Sequence, residues 1–164
     1  MTEPVRVHLP DPAATDRLAA ALAATAPEAA VVHLRGDLGA GKSTLARAWL
    51  RTLGVAGAIR SPTYTLVERY PLAAGAEAVH LDLYRIGDPG ELEFLGLDGS
   101  GVALWLVEWP ERGGASLPAA DLVVALAIEG PGRSAVIDGR SRTGAAWLER
   151  LVQESQLQDL PSPV

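Results

Sequence analysis

The first third of the chain alternates apolar and polar stretches in a way that predicts a helix, a strand and a second helix. Residues 12–25 are rich in alanine and leucine and stop before Pro27, which predicts a helix. Residues 31–35, VVHLR, form a short β-branched apolar run and predict a strand. A glycine-rich turn follows, and then a helix that ends at Gly54. The apolar stripe of this second helix comprises Leu45, Trp49 and Leu53.

The middle of the chain predicts a polar loop and then two buried strands. Residues 61–70, SPTYTLVERY, open with Ser-Pro and alternate only in part, so they predict a loop that runs into a strand. Residues 71–78 predict a turn. Residues 78–85 and 103–109 are apolar runs that contain one acid each, a pattern typical of strands buried on both faces.

The segment between these two strands and the segment after them carry further signals. Residues 88–97 predict a short helix, with Asp88 as its N-cap and Pro89 at the first helical position. Residues 121–130 and 133–139 predict two antiparallel strands joined by the turn EGPGR.

The C-terminal pattern completes a one-domain α/β protein. Residues 145–153 predict a final short helix, and the polar, proline-containing segment 156–164 predicts a flexible tail. We therefore expect a single domain over residues 1–155. Its sheet is expected to have a mostly parallel core with antiparallel C-terminal strands, flanked by helices.

Composition narrows the range of functions. The net charge of −6 and the sequence pI near 5.0 argue against unaided, non-specific binding of nucleic acid, which depends on phosphate neutralisation. The chain has no cysteine, which excludes disulfides, thiolate zinc sites and cysteine nucleophiles. The N-terminus has no apolar signal region, and no apolar run reaches the length of a membrane span. The sequence therefore predicts a soluble, cytoplasmic protein that does not associate with membranes.

The glycine-rich turn between strand and helix matches a phosphate-binding motif. Gly36, Gly41, Lys42 and Ser43 fit the pattern G-x-x-x-x-G-K-[ST]. Lys42 is the only lysine, and every other Lys or Arg position is an arginine. A compact ammonium suits a point-charge contact with phosphate better than a planar guanidinium does, and the serine hydroxyl suits magnesium. The fold class is therefore predicted to be a P-loop NTPase-like α/β sheet.

The identity of the base is indicated by what the sequence lacks. A GTPase is expected to carry an Asn-Lys-x-Asp motif, and this chain has no asparagine. The segment DGSG at residues 98–101 matches the GTPase pattern D-x-x-G only loosely, and we interpret it as a turn. The sequence favours ATP with Mg²⁺.

Two acids inside apolar runs are the candidates for magnesium and water chemistry. Asp82 and Glu108 are each the lone acid in an apolar run, toward the C-terminal end of a predicted core strand, where an unpaired buried charge is unfavourable. A phosphoryl-transfer site needs a carboxylate at such a strand end. The alternative is a structural ion pair with Arg85 or Arg112.

The hydroxyl-rich segment SPTYTLVE lies where many P-loop proteins carry a nucleotide-sensing loop. Thr63 or Thr65 would contact magnesium or the γ-phosphate in that case. The alternative is an ordinary edge strand that exposes its threonines to solvent.

The histidines and tryptophans are mainly expected to pack. His33 and His80 lie in predicted strands and are interpreted as packed side chains rather than ligands. Trp105 and Trp147 are expected in the core. Trp109 directly follows Glu108, and the sequence does not decide whether it lines the site.

Four stretches together resemble one bacterial family. GDLGAGKST, SPTYTLVERY, HLDLYRIGDPGELEFLGL and LVEWPERG occur in the order and at about the spacing of the TsaE (YjeE) family, over about residues 5–140. The resemblance implies a small P-loop ATPase of the tRNA N6-threonylcarbamoyladenosine pathway. Such a protein works with TsaD and TsaB, which transfer threonylcarbamoyl to the adenosine beside the anticodon. It supports that cycle indirectly through ATP hydrolysis, and meets tRNA only through the complex.

The resemblance also implies roles for individual residues. Glu108 would bind magnesium, directly or through water, together with the loop serine. Asp82 would be needed for hydrolysis, and the loop lysine would be the third catalytic residue. Thr44 would lie beside the α-phosphate, Thr15 near the adenine, and Arg133 would face the nucleotide. The phosphate loop would comprise Gly36, Asp37, Leu38, Gly39, Ala40, Gly41, Lys42 and Ser43.

Two other classes of function share a P-loop. A small-molecule kinase would need an acceptor pocket and an arginine-bearing lid, and residues 110–140 contain no arginine-rich segment. A nucleotide-binding module without turnover would need fewer carboxylates than the pair at 82 and 108 provides.

Overall fold

A computed structural model of the protein describes residues 2–97 and 101–161. Three of the four residues of DGSG, 98–100, lie outside this description. The elements in chain order are β1 (Val5–Leu9), α1 (Pro12–Thr25), β2 (Ala30–Arg35), α2 (Lys42–Thr52), β3 (Val67–Pro71), β4 (Glu77–Asp82), β5 (Val102–Glu108), β6 (Leu122–Glu129), β7 (Gly132–Gly139), α3 (Arg142–Leu151) and α4 (Ser155–Gln158). Short 3₁₀ helices cover Ala73–Gly75, Pro89–Leu95, Pro110–Arg112 and Gly114–Ser116.

The strands form one sheet in the order β1-β7-β6-β2-β5-β4-β3. Its centre is parallel, because β2 pairs in parallel with β5 and β6, and β4 pairs in parallel with β5. The antiparallel pairing of β6 with β7 confirms the expected C-terminal strands. The two edges are antiparallel as well, through β1 on β7 and β3 on β4. The predicted fold class is therefore confirmed.

The main core lies between the sheet and the helices. Asp11 caps α1 by accepting a hydrogen bond from the Ala14 amide at 2.9 Å, and the helix ends where the sequence predicts. Trp49 of α2 and Trp147 of α3 meet edge to face, with ring centroids 5.9 Å apart. Trp105 is only half-buried and packs with a second apolar cluster formed by β4, β5 and their following loops. The expected core position is therefore confirmed for Trp147, whereas Trp105 packs only partly buried against the second cluster.

The segment between β4 and β5 forms the predicted helix in its tighter form. Asp88 accepts a hydrogen bond from the Gly90 amide at 3.0 Å, and Pro89 occupies the first turn. The helix is of the 3₁₀ type over Pro89–Leu95 and ends at Gly96, which has a φ of 68°.

The two chain ends depart from the sequence-based expectation. The predicted flexible tail at 156–164 is wrong for residues 156–161, because Leu157 and Leu160 are buried in the main core. The Pro161 carbonyl also accepts a hydrogen bond from the His8 amide at 2.9 Å. The short strand β1, which the pattern did not predict, supplies that amide. The few apolar side chains of this C-terminal segment are thus buried by contact with α1 and β1.

None of the helices in the described part of the chain combines the length and the apolar character that a bilayer span needs.

The docked C-terminal segment can be tested by side-chain truncation. Leu157→Ala should lower the free energy of unfolding by about 2–3 kcal/mol, because it removes a buried leucine side chain. Val152→Ala is the matched control, since Val152 is 42 % exposed and should change stability by less than about 0.5 kcal/mol. Urea unfolding measures both values. Equal, small effects would show that the segment is not part of the core.

Candidate functional site

The glycine-rich loop joins β2 to α2 and approaches a neighbouring strand closely. At Gly36, which has a φ of 146°, an added Cβ would lie only 2.5 Å from the Leu126 carbonyl oxygen of β6. Gly41 precedes α2 with a φ of 109°, and no side chain of the described residues caps this helix. The helices α1 and α3, by contrast, are capped by Asp11 and Ser141. The first amides of α2 are therefore available to an anion.

Lys42 is only 5 % exposed and reaches back over the loop. Its Nζ donates hydrogen bonds to the carbonyl oxygens of Gly36 and Asp37, the latter at 3.0 Å. It also lies 4.4 Å from the ring centroid of Trp109. Burial lowers the pKa of the ammonium, and the negative charges of Glu108 and other nearby acids oppose that change. A desolvated cation whose hydrogen bonds go to neutral carbonyls can bind an anionic ligand strongly.

The two candidate acids stand side by side at the ends of parallel strands. Asp82 of β4 is directly opposite Glu108 of β5 in the pairing register, and both are buried. The Ser43 hydroxyl lies 2.9 Å from each oxygen of the Glu108 carboxylate. Asp82 accepts a hydrogen bond from the Tyr84 amide at 3.0 Å. Phosphate loop and acids therefore meet at the carboxyl edge of the sheet, as the sequence predicts.

The alternative of a structural ion pair with arginine does not describe these acids. The ion pairs found within residues 2–97 and 101–161 join neither Asp82 nor Glu108 to an arginine. Arg85 instead lies over the ring of Tyr64, 4.7 Å from its centroid, and Arg112 lies over Tyr84.

The hydroxyl-rich loop presents Thr63 to the site, rather than Thr65. Thr63 lines the cleft, and its Oγ1 lies 3.5 Å from Asp82 Oδ2. Thr65 is exposed and donates to the Glu68 carboxylate at 3.1 Å, away from the cleft. The Leu66 amide donates to the Pro62 carbonyl at 2.9 Å, so residues 62–66 form a tight turn, and Thr63 and Thr65 have different surroundings within it. The expectation that Thr65 binds the nucleotide has no support from this arrangement.

These elements surround one cleft of about 530 Å³, a volume typical of sites for small molecules. Gly36 and Asp37 do not line it and take part through their carbonyl contacts with Lys42. Arg133 lines one side and donates to the Gly39 carbonyl at 3.2 Å. The predicted residues that do line the cleft are Thr15, Leu38, Gly39, Ala40, Gly41, Lys42, Ser43, Thr44, Thr63, Asp82, Glu108 and Arg133.

Two ring-bearing side chains lie next to the acids, one that the sequence left undecided and one that it predicted to pack. Trp109 lines the cleft and packs against Tyr84 with ring centroids 4.9 Å apart, and its φ is 56°. His80 is packed in the sheet as predicted, but its ring also contacts Glu108 at 2.6 Å. Its spacing of two residues from Asp82, which places both on one strand face, was the available signal.

The arrangement defines a nucleotide-binding protein of the P-loop type: a strand, a glycine loop with a buried lysine, an uncapped helix and acids at adjacent strand ends. Residues 9–135 match the family model described as threonylcarbamoyl adenosine biosynthesis protein TsaE. The chain belongs to this family, and the resemblance found in the sequence is confirmed. Proteins of this family are of the P-loop ATPase type.

Individual relatives agree with the family assignment. The chain is 50 % identical over 99 residues to the tRNA threonylcarbamoyladenosine biosynthesis protein TsaE of Haemophilus influenzae, a region that covers 59 % of this chain and 62 % of that protein. It is 41 % identical over 111 residues to the protein of the same name from Synechocystis, covering 63 % of this chain and 69 % of the relative. The aligned region therefore spans less than two thirds of the Haemophilus protein.

A solved structure shares the fold over nearly the whole chain. The crystal structure of Bacillus subtilis YdiB superposes with a TM-score of 0.77 at 26 % identity, over 93 % of this chain and 97 % of that one.

The close approach at Gly36 yields a stability prediction. Gly36→Ala should lower the free energy of unfolding by about 2–4 kcal/mol, since it adds both a clash with Leu126 and strain at a positive φ. Gly39→Ala is the control, because it has a φ of 82° but no atom within 4 Å of the added Cβ. It should cost about 1–2 kcal/mol. Urea unfolding without nucleotide measures both, and equal losses would contradict the close approach.

Proposed function

We propose that the chain binds ATP with Mg²⁺ in this cleft and hydrolyses it slowly, as a subunit that supports formation of tRNA N6-threonylcarbamoyladenosine. The observation that carries the proposal is that three features lie together at the start of α2. The helix has no side-chain cap there, Lys42 is buried, and the Ser43 hydroxyl contacts the Glu108 carboxylate. Loop amides, an ammonium and oxygen ligands then converge on one cleft.

The residues present fit a nucleotide triphosphate. The loop from Gly36 to Ser43 would hold the phosphates through its backbone amides, with Thr44 beside them at the start of the helix. Lys42 now donates to two neutral carbonyls, and a phosphate oxygen is a stronger acceptor for a charged donor. Thr15 and Arg133 line the cleft on the side that we assign to the nucleoside. We favour adenine because the chain contains no asparagine for the Asn-Lys-x-Asp motif of GTPases.

The acids fit a magnesium site next to those phosphates. Ser43 and Glu108 offer hydroxyl and carboxylate oxygens, which are the ligands that Mg²⁺ prefers. The bound ion would offset charge on the phosphate oxygens during transfer. Asp82 is held at Oδ1 by the Tyr84 amide, while Oδ2 faces Thr63 at a longer distance. We assign Asp82 to accept a proton from the attacking water.

The partners are proposed from the family. The family is that of the threonylcarbamoyl adenosine biosynthesis protein TsaE, and the two relatives named above are tRNA threonylcarbamoyladenosine biosynthesis proteins. We propose that this chain acts in the cytoplasm with TsaD and TsaB and meets tRNA through that complex. The net charge of −6 agrees with tRNA being bound by the complex rather than by this chain directly, since a protein that binds tRNA by itself needs a basic surface.

A small-molecule kinase is the second candidate, and the charged residues around the cleft disfavour it. The arginine that lines the cleft, Arg133, already donates to the loop carbonyl of Gly39 and to its neighbour Gly132. A binding module without turnover is disfavoured by the paired acids Asp82 and Glu108, because binding alone does not need both.

Replacing the lysine tests nucleotide binding. Lys42→Ala should raise the Kd for ATP at least about tenfold, since a charged hydrogen bond contributes about 1.5–3 kcal/mol. Arg51→Ala is the control, because it removes an exposed cation from the same helix. Isothermal titration calorimetry gives both values. An unchanged Kd in the lysine variant would remove the basis for a phosphate site.

Neutralising the second acid tests the metal assignment. Glu108→Gln keeps the size of the side chain but should raise the Mg²⁺ concentration for half-maximal phosphate release at least about tenfold. Glu111→Gln, at an exposed position three residues later, is the matched control. A magnesium titration of phosphate release that is identical in parent and Glu108→Gln would exclude Glu108 as a ligand.

A further inference from the structure

His80 is fully buried in β4 and touches the candidate site through one atom. Its exposed fraction is 0 %, and Nε2 lies 2.6 Å from Oε2 of Glu108. Within the described part of the chain, the other ring nitrogen, Nδ1, has no hydrogen-bond partner. The proposed chemistry assigns this imidazole no role.

Packing alone does not account for a histidine at this position. A buried polar atom without a partner is unfavourable, and an apolar side chain of similar size would avoid that cost. The imidazole of His80 makes one hydrogen bond with Nε2 and leaves Nδ1 without one. The feature that distinguishes it from a leucine is therefore its contact with Glu108.

The strand register sets the direction of this contact. His80 is opposite Leu106, and Asp82 is opposite Glu108, so His80 stands diagonally behind Glu108 on the same sheet face. The imidazole thus approaches the carboxylate from the interior of the sheet, whereas Ser43 approaches it from the phosphate loop. A carboxylate only accepts hydrogen bonds, so we assign the shared hydrogen to Nε2.

The two donors do not restrain Glu108 equally. The Ser43 hydroxyl has one hydrogen and lies 2.9 Å from both carboxylate oxygens, so it satisfies either one. His80 contacts Oε2 alone and comes from a rigid central strand. His80 therefore holds Oε2 of Glu108 toward the interior of the sheet, so that Oε1 faces Ser43 and the loop.

We propose that His80 is a positioning residue that orients the Glu108 carboxylate for a divalent cation. This inference rests on the proposed role of Glu108 as a magnesium ligand. Partners that orient a metal-binding side chain typically change metal affinity or activity by 10- to 100-fold when they are replaced. His80 acts through Glu108 and need not touch nucleotide.

A pair of amide variants separates positioning from packing. In His80→Gln, the side-chain nitrogen reaches about as far as the histidine Nε2, whereas in His80→Asn the amide ends short of Glu108. Binding of a non-hydrolysable ATP analogue is measured by calorimetry in EDTA and across a Mg²⁺ titration, alongside phosphate release. His33→Gln is the control, because His33 pairs with Val107 and so lies on the other sheet face from Glu108.

The proposal expects His80→Asn to raise the Mg²⁺ concentration for half-maximal analogue binding by about 10- to 100-fold. His80→Gln and His33→Gln should stay near the parent value, and binding in EDTA should be the same in all four proteins. Similar Mg²⁺ dependence in His80→Asn and the parent, or an equal defect in His80→Gln and His80→Asn, would overturn the positioning role. Failure of the parent to bind the analogue at any Mg²⁺ concentration, and in EDTA, would instead overturn the proposed function, and this inference with it.

Discussion

The hydrogen bond between the Ser43 hydroxyl and the Glu108 carboxylate ties the phosphate loop to the central sheet. It forms because the parallel strands β2 and β5 are neighbours, so that the loop after one meets the last residue of the other. The same register sets Asp82 beside Glu108 on the next strand. Two acids buried this closely are unfavourable unless donors or cations face them, and Ser43, His80 and Lys42 supply that compensation. The site is thus held together by groups that also suit phosphate and metal.

Local patterns predicted most of the fold because the central elements are continuous in sequence. The strand, glycine loop and helix over residues 31–54 have their own periodicity and stop signals, and the apolar runs at 78–85 and 103–109 indicate buried strands. The chain ends were harder, because β1 is a short strand stabilised by pairing with β7. The segment 156–161 has few apolar residues, and its burial depends on contact with α1.

Some site residues could likewise be predicted from local sequence, whereas the roles of others depend on the folded structure. Lys42 and Ser43 follow from a contiguous motif, and Glu108 from being an acid in an apolar run. The choice of Thr63 over Thr65 depends on the geometry of the tight turn over residues 62–66, which no periodicity reveals. The contact of His80 with Glu108 depends on strand register, so a residue that looks like ordinary packing becomes part of the site.

The most direct test of the account is phosphate release from ATP by the purified chain, alone and with purified TsaD, TsaB and tRNA. The account predicts slow, magnesium-dependent release by the chain alone and faster release with the partners, without transfer of phosphate to a small acceptor. Equal rates with and without TsaD and TsaB, or phosphate transfer to an acceptor, would contradict it.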